Sequence, residues 1–543
     1  MLVSYTIRYL SEKGLARADY RIWEEADLAD MWKGTPKEFY KLYKYSVEGI
    51  RAISPSAKIT FGLTGLEQSS EPFLKGMLSY VRTNNLPLDY LIYHPFGNTP
   101  SSYSYRNDAQ YFNRLIQQAG LPIVPIHAES WNYEASKNII MDTEQNAAYA
   151  ISTIIAQSQG GIKYHAFFSD IDWTNDSSLT EFVGELGLFT KSSIIKPVYN
   201  AFTALSLFAG KNENQITNQL RASVENTNLL SAIASQTQDG RITRILISNN
   251  IPPLNQIITL NSQILKNCIK SKGYSDDDFT LIGNVLKVSA QKNPPPDPIT
   301  QEYLLLLIDQ TTFPPPLDNQ KTKIDLRACA PRSAALFAEF NIYAENPRTV
   351  TLNMSNMVPA AYTLKTYLID KNHSNSCSTN KKTESSASKS PCGINGAIDK
   401  QVTQAKSDAQ KTAQQATLAL LQSKDYNVNM ILWNQIIQTC KGDAECIKQK
   451  VAEQCEAFLN LPPGTTCQSP KVTQDLKDAL NAYDKAYDQT FFYNSSSSID
   501  SINNQKGVAL EKRAEEVLAI TGSSYQTTLT LKPYAIMLLE MKR

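Results

Sequence analysis

Over residues 1–205, short apolar runs alternate with amphipathic stretches, and this alternation constrains the fold more than any other feature. Strands are expected at Tyr20–Trp23, Ala57–Gly62, Leu88–Phe96, Ile123–Glu129 and Tyr164–Asp170. Between them lie runs of helical spacing, such as Pro36–Ile53, where Phe39, Leu42, Tyr43, Val47 and Ile50 recur, and the Ala/Ile-rich Thr143–Gln157. Such alternation predicts an α/β fold, a parallel sheet covered by helices. Chemistry in these folds sits where strands end at their carboxyl tips, and Glu25, His94, Glu129 and Asp170 all fall at such tips.

Beyond about residue 205 the texture changes. Leu229–Ser235 and Ile242–Ser248 flank Asp239-Gly240, a hairpin signal. Further strand-like runs are Leu281–Val288, Tyr303–Asp309, Thr349–Met354 and Tyr362–Asp370, with stiff connectors at Pro294–Pro296 and Phe313–Pro316. A β-sandwich is expected. A polar tract, Ser374–Pro391, then leads into helices expected at Ile398–Leu421, Val428–Gln438, Glu445–Leu459 and Thr473–Thr490. A helix at Ala509–Ala519 and a terminal strand, Thr527–Leu539, complete the reading. The domains are therefore expected to be 1–205, then 206–375 with 500–543, and a helical insertion at 376–499.

Six of the eight cysteines, Cys377, Cys392, Cys440, Cys446, Cys455 and Cys467, crowd into that insertion, with Cys268 and Cys329 elsewhere. Three disulfides and an oxidising compartment follow, whereas the absence of any C-x2-C pair argues against zinc. The 53 basic residues are balanced by 52 acidic ones, which argues against a nucleic-acid or membrane-surface partner, and no apolar run is long enough to span a bilayer. The first ten residues lack the pattern of a signal peptide.

Tyr20-Arg-Ile-Trp-Glu-Glu-Ala-Asp-Leu28 holds adjacent carboxylates and, with Trp32 close behind, flat aromatic faces suited to a sugar. Ile22–Leu28 with Trp32 resembles the I-W-N-E-P-D-L…F-W motif of glycoside hydrolase family 39, the group of β-xylosidases, α-L-iduronidase and some exopolysaccharide hydrolases. Asp89–His94, then Pro125-Ile-His-Ala-Glu129 with Trp131-Asn132, resemble its sixth and seventh strands. Gly187-Leu-Phe-Thr190 and Lys196-Pro-Val-Tyr-Asn-Ala-Phe202 continue the likeness. The resemblance implies a (β/α)8-type barrel lacking its first three strands, followed by a β-sandwich domain that carries the helical, cysteine-rich insertion.

By the same resemblance, Glu25 is the acid/base and Glu129 the nucleophile of a retaining glycosidase, which needs two carboxyls about 5–5.5 Å apart. An ionised Glu129 is expected to keep Glu25 protonated. Glu24, Trp32, His94, His127, Trp131 and Asp170 are the expected substrate-binding residues. Carbohydrate is the expected partner, with no cofactor and no metal; His94, His127 and His165 on successive strands are the weaker metal alternative. Trp23 and Trp173 could also stack on sugars, although Trp23 suits the core as well.

Glu24 stands where the family has Asn, Ala26 where it has Pro, and Ala166 where it has Trp. These departures leave open a catalytically inactive protein that binds carbohydrate or builds an extracellular assembly. Five strands cannot close an eight-stranded barrel. The favoured explanation is a sequence incomplete at its start, which also accounts for the missing leader of an exported protein. A second chain completing the barrel and an open remnant are the alternatives.

Overall fold

The computed structural model describes residues 2–14, 19–65, 70–96, 108–172, 181–209, 229–252, 339–340, 342–355, 357–379, 396–440, 444–461, 465–504 and 508–543. The strands expected at Leu281–Val288 and Tyr303–Asp309, both proline connectors, Trp173, Cys268, Cys329 and Cys392 lie outside the described residues.

The first part is a ladder of short parallel strands. β1 (Tyr20–Arg21) pairs with β2 (Ile59–Thr60), and one residue further on β3 (Gly62–Leu63) pairs with β4 (Leu91–Tyr93). β5 (Ile126–Trp131) and β6 (Tyr164–Phe167) follow in order, every pair parallel. Among the described residues, β1 and β6 have no further strand partner, so the ladder is open. Its return segments are α1 (Leu2–Glu12), which precedes β1, then α2 (Pro36–Arg51), α3 (Ser70–Thr83), α4 (Asp108–Gln118) and α5 (Glu144–Gln159), with α6 (Pro197–Ala209) after β6. The helix α1 falls where the sequence reading placed no element; Ile7 anchors it in the core and the Ser4 hydroxyl donates to the Gly49 carbonyl.

Local chemistry explains these limits. Thr35 caps α2, its side chain accepting from the Glu38 N–H while Glu38 reaches back to the Thr35 N–H, a reciprocal capping box. α5 is buried nearly all round, because one side covers the ladder and the other meets a second sheet.

That second sheet is antiparallel, in the order β11-β10-β13-β8-β7. Its strands are β7 (Leu230–Gln236), β8 (Ile242–Asn249), β10 (Ala360–Ile369), β11 (Glu511–Ile520) and β13 (Ile536–Lys542); β9 (Arg348–Ser355) pairs with β12 (Ser524–Leu531) in a separate ribbon. Alternate residues of β8 and β13 serve two cores. Leu246 and Leu538 meet α5 and α6, while Ile245, Ile247, Met537 and Leu539 meet Val350, Leu352 and Leu531 of the ribbon. The two sheets are therefore packed face to face.

Two expectations are corrected. Residues Ala509–Ala519, rich in strong helix formers, do not form a helix but the edge strand β11, because β10 offers an unpaired edge along its length. The terminal strand expected over Thr527–Leu539 is two strands broken at Lys532–Ala535, where Pro533 lacks an N–H and Tyr534 takes a left-handed φ of 60°.

Between β10 and β11 lies a helical bundle: α7 (Gly396–Ser423), α8 (Met430–Cys440), α9 (Ala444–Glu453), α10 (Cys455–Leu459) and α11 (Pro470–Asn503). The single helix expected over Glu445–Leu459 is thus two, interrupted at Gln454. Trp433, Ile437, Val451, Phe458 and Leu476 form the bundle core. Cys440–Cys446 ties α8 to α9, Cys455–Cys467 ties α10 to the turn before α11, and Cys377 is also disulfide-bonded. No helix among the described residues is long and apolar enough to cross a membrane.

Candidate active site

At the carboxyl end of β1 the ladder continues only through the Ile22 N–H, which donates to Thr60 at 2.9 Å. The chain then turns away sharply, with Trp23 at φ 67° and Glu25 at φ 43°. A non-glycine residue held left-handed costs about 1–3 kcal/mol, a strain that collects at functional sites. Asp27 secures the turn by accepting from the Thr64 hydroxyl at 2.6 Å and its N–H at 3.1 Å. Trp23 and Trp32 meet edge to face at 5.3 Å, and their indole N–H groups donate to the carbonyls of Met31 and Thr35.

The turn brings both glutamates against His94, just past β4. His94 Nδ1 lies 2.7 Å from Glu25 Oε1, and Nε2 lies 3.1 Å from Glu24 Oε1. The ring is almost fully buried, only 2% exposed, so its hydrogen bond to Glu25 is made without competition from water. With its proton on Nδ1, the ring donates to Glu25 and its Nε2 accepts from Arg21 Nη1 at 3.2 Å.

Glu129 comes from β5. The β5–β6 register slips between Ala128 and Trp131, and Ser130 is left-handed at φ 49°, an irregularity that re-aims the side chain beside it. Glu129 Oε2 accepts from the same Arg21 Nη1 at 3.2 Å, and Oε1 lies 3.9 Å from His127 Nδ1. His127 is stacked on Tyr90 at 4.6 Å and tilted against Tyr164 at 5.4 Å. The other Arg21 nitrogen, Nη2, pairs with Glu24 Oε2. Glu24, Glu25 and Glu129 thus meet around one guanidinium and one imidazole. The donor atoms of Glu24, Glu25 and His94 lie within 4.8 Å of one another, a spacing that could hold a metal ion, and Arg21 sits against two of these three residues.

Glu24, Glu25, His94, His127 and Glu129 are therefore gathered in one place, while three expected residues have other settings. Trp131 is fully buried between Tyr149 and Phe167, so the expectation that it touches substrate is corrected: it is a core residue. Asp170 is exposed and caps a turn, its carboxylate accepting from the Ile171 N–H at 2.9 Å. His165 lies against Gln157 at 2.8 Å and Ser158 at 3.3 Å, both on α5, so the three histidines do not converge. Burial, with His127 nearby, pushes its pKa down to about 4.

Arg21 and Tyr90 were missed by sequence reasoning. A signal for Arg21 was present, a basic residue inside an otherwise apolar strand run. In the segment after β6, Lys196 Nζ is buried between Asp142 and Asp172, each at 2.7 Å, and donates to the Glu185 carbonyl at 2.9 Å. Burial raises both carboxyls, Asp172 to about 6, while Lys196 pulls the other way. Through the N–H groups of Gly184 and Gly187, these aspartates hold the segment that follows β6.

Residues 1–254 match the sequence profile of glycosyl hydrolases family 39. A β-xylosidase of Geobacillus stearothermophilus is 26% identical over 209 residues, 34% of this chain and 40% of that enzyme. A second, from Caldicellulosiruptor saccharolyticus, is 25% identical over 272 residues, 46% of this chain and 52% of the enzyme. The chain thus spans about half the length of these relatives or less. A monomeric β-xylosidase structure from Caulobacter crescentus aligns with a TM-score of 0.48 at 12% identity, covering 100% of this chain and 73% of that one. The match over residues 1–254 and the two related β-xylosidases support the assignment of this part of the chain to glycosyl hydrolases family 39.

Proposed function

We propose that the protein is a retaining glycoside hydrolase in which Glu25 is the acid/base and Glu129 the nucleophile. The observation that carries this reading is the joining of these two carboxylates, 104 residues apart in sequence, through His94 and Arg21 at the ends of β1, β4 and β5. Glu25 would give its proton to the glycosidic oxygen while Glu129 attacks the anomeric carbon, releasing the alcohol and leaving a glycosyl ester. Glu25, now a carboxylate, would take a proton from water as that water attacks the same carbon. The ester bond then breaks, Glu129 regains its charge, and the sugar leaves with its original configuration.

The substrate class we propose is a β-xyloside, a uronide or an exopolysaccharide linkage, the first supported by the similarity to two β-xylosidases. Residues 1–205 would be the glycosidase part, of (β/α)8 type. Residues 206–375 and 500–543 would form the β-sandwich, and 376–499 the insertion. The disulfides fit a secreted or periplasmic setting.

A second reading, a catalytically inactive carbohydrate-binding protein, is favoured by one contact. Glu24, which replaces the family's asparagine, is ion-paired with the guanidinium that also serves Glu129. A panel of aryl glycosides separates the two readings. Hydrolysis lost in Glu129→Gln supports the enzyme; binding of the sugars without turnover, in protein whose Glu129 is intact, supports the second.

A further inference from the structure

Arg21 is partly exposed, and its side chain runs over β3 toward the groups at the strand tips. Its path runs over Gly62 of β3, where a Cβ would come within 3.3 Å of Arg21 Cδ and 4.0 Å of His94 Nε2, so a side chain at position 62 would press on the arginine. The guanidinium reaches three groups that come from separate elements: Glu24 on the turn after β1, His94 after β4 and Glu129 on β5. Two of these are carboxylates, which would repel each other without a cation between them. A planar fork with several fixed donors can serve all three at once, and an ammonium cannot do so with the same geometry.

We infer that Arg21 is a positioning residue: it holds Glu129 at the distance and angle from Glu25 that chemistry requires, and it neutralises Glu24 so that an extra carboxylate is tolerated beside the pair. This rests on the assignment of Glu25 and Glu129 as the reacting carboxylates. Arg21 acts through them and takes no part in bond making. Glu24 and Arg21 then form a matched pair, the arginine compensating the departure from asparagine.

Three variants in the full chain test this: Arg21→Met, Arg21→Lys and Arg21→Met/Glu24→Asn. Misplacing one reacting group by about 1 Å can cost about 100-fold. Arg21→Met is expected to lower kcat by about that factor with KM changed less than about threefold. Arg21→Lys should recover only part of the loss, and added guanidinium ion should raise the rate of Arg21→Met but not of the wild type. Removing the surplus carboxylate as well should make the double variant faster than Arg21→Met.

A measurement independent of turnover is the urea midpoint of Arg21→Met, Glu129→Gln and the two combined. If the arginine tethers Glu129, the combined shift falls short of the sum of the single shifts. Additive midpoints, or an Arg21→Met enzyme with unchanged kcat, would overturn the inference. If no variant, wild type included, hydrolyses any glycoside, the enzyme reading fails and the midpoints alone decide whether Arg21 tethers Glu129.

Discussion

His94 is the residue on which the site turns, because a buried imidazole with two carboxylates on its two nitrogens leaves little freedom for either. Glu25→Gln should keep this geometry and lose the proton, lowering turnover by about 100- to 10,000-fold. The loss should be smallest for dinitrophenyl glycosides, whose leaving group needs no proton, and rates across phenols of graded acidity check it. Asp108 makes a prediction of a different kind. Burial pushes its carboxyl up to about 7, although the Tyr93 hydroxyl, donating at 2.7 Å, opposes the shift. The folded protein therefore holds this proton more tightly than the unfolded chain, so stability falls as pH rises between about 4 and 7. Asp108→Asn should flatten that fall and be less destabilising at pH 8 than at pH 5, as urea unfolding at the two pH values would report. At this scale the sequence exposed the charged members of the site, since Glu24, Glu25 and Glu129 stand at strand ends. It marked Arg21 only as a basic residue in an apolar run, whose meaning depends on a glycine 41 residues away. The tryptophan two residues beyond Glu129 shares its strand parity, and only the bulge at Ser130 explains why it turns into the core instead.

Among elements, period and capping made the ladder legible, and expected strands such as Tyr164–Asp170 shortened chiefly because their last residues leave the sheet to build the rim. Propensity failed at β11, where Glu511–Ile520 pairs along nearly all of β10 and an available edge outweighs helix preference. The segment after β6 carried no strand or helix signal. Its conformation comes from the buried Lys196 and its two aspartates, contacts between distant residues that no local pattern encodes. Gly184, at φ 77°, lies so close to Asn138 that a Cβ would fall 2.7 Å from that residue's carbonyl carbon. Gly184→Ala should therefore destabilise the protein by about 1–3 kcal/mol through strain and overpacking, measured by chemical unfolding.

Across the molecule, α5 and α6 are shared between the parallel ladder and the antiparallel sheet, through Ile151, Ala201, Phe208, Leu246 and Leu538. The site-bearing ladder thus rests on a second structure, and the bundle reaches the segment before α6 through Asn503, which accepts from the Ile195 N–H at 3.0 Å. Cleaving the bundle's disulfides should loosen α8 to α11 first; for the 12-residue Cys455–Cys467 loop the loss is about 2–4 kcal/mol, read as a lowered midpoint of bundle unfolding under reducing conditions. In the proposed reaction Glu129 becomes covalently bound to the sugar. A 2-deoxy-2-fluoro aryl β-xyloside, incubated with protein shown to hydrolyse the parent glycoside, should leave a glycosyl adduct on the peptide containing Glu129, seen by mass spectrometry. An adduct on another carboxylate, or none, would contradict it.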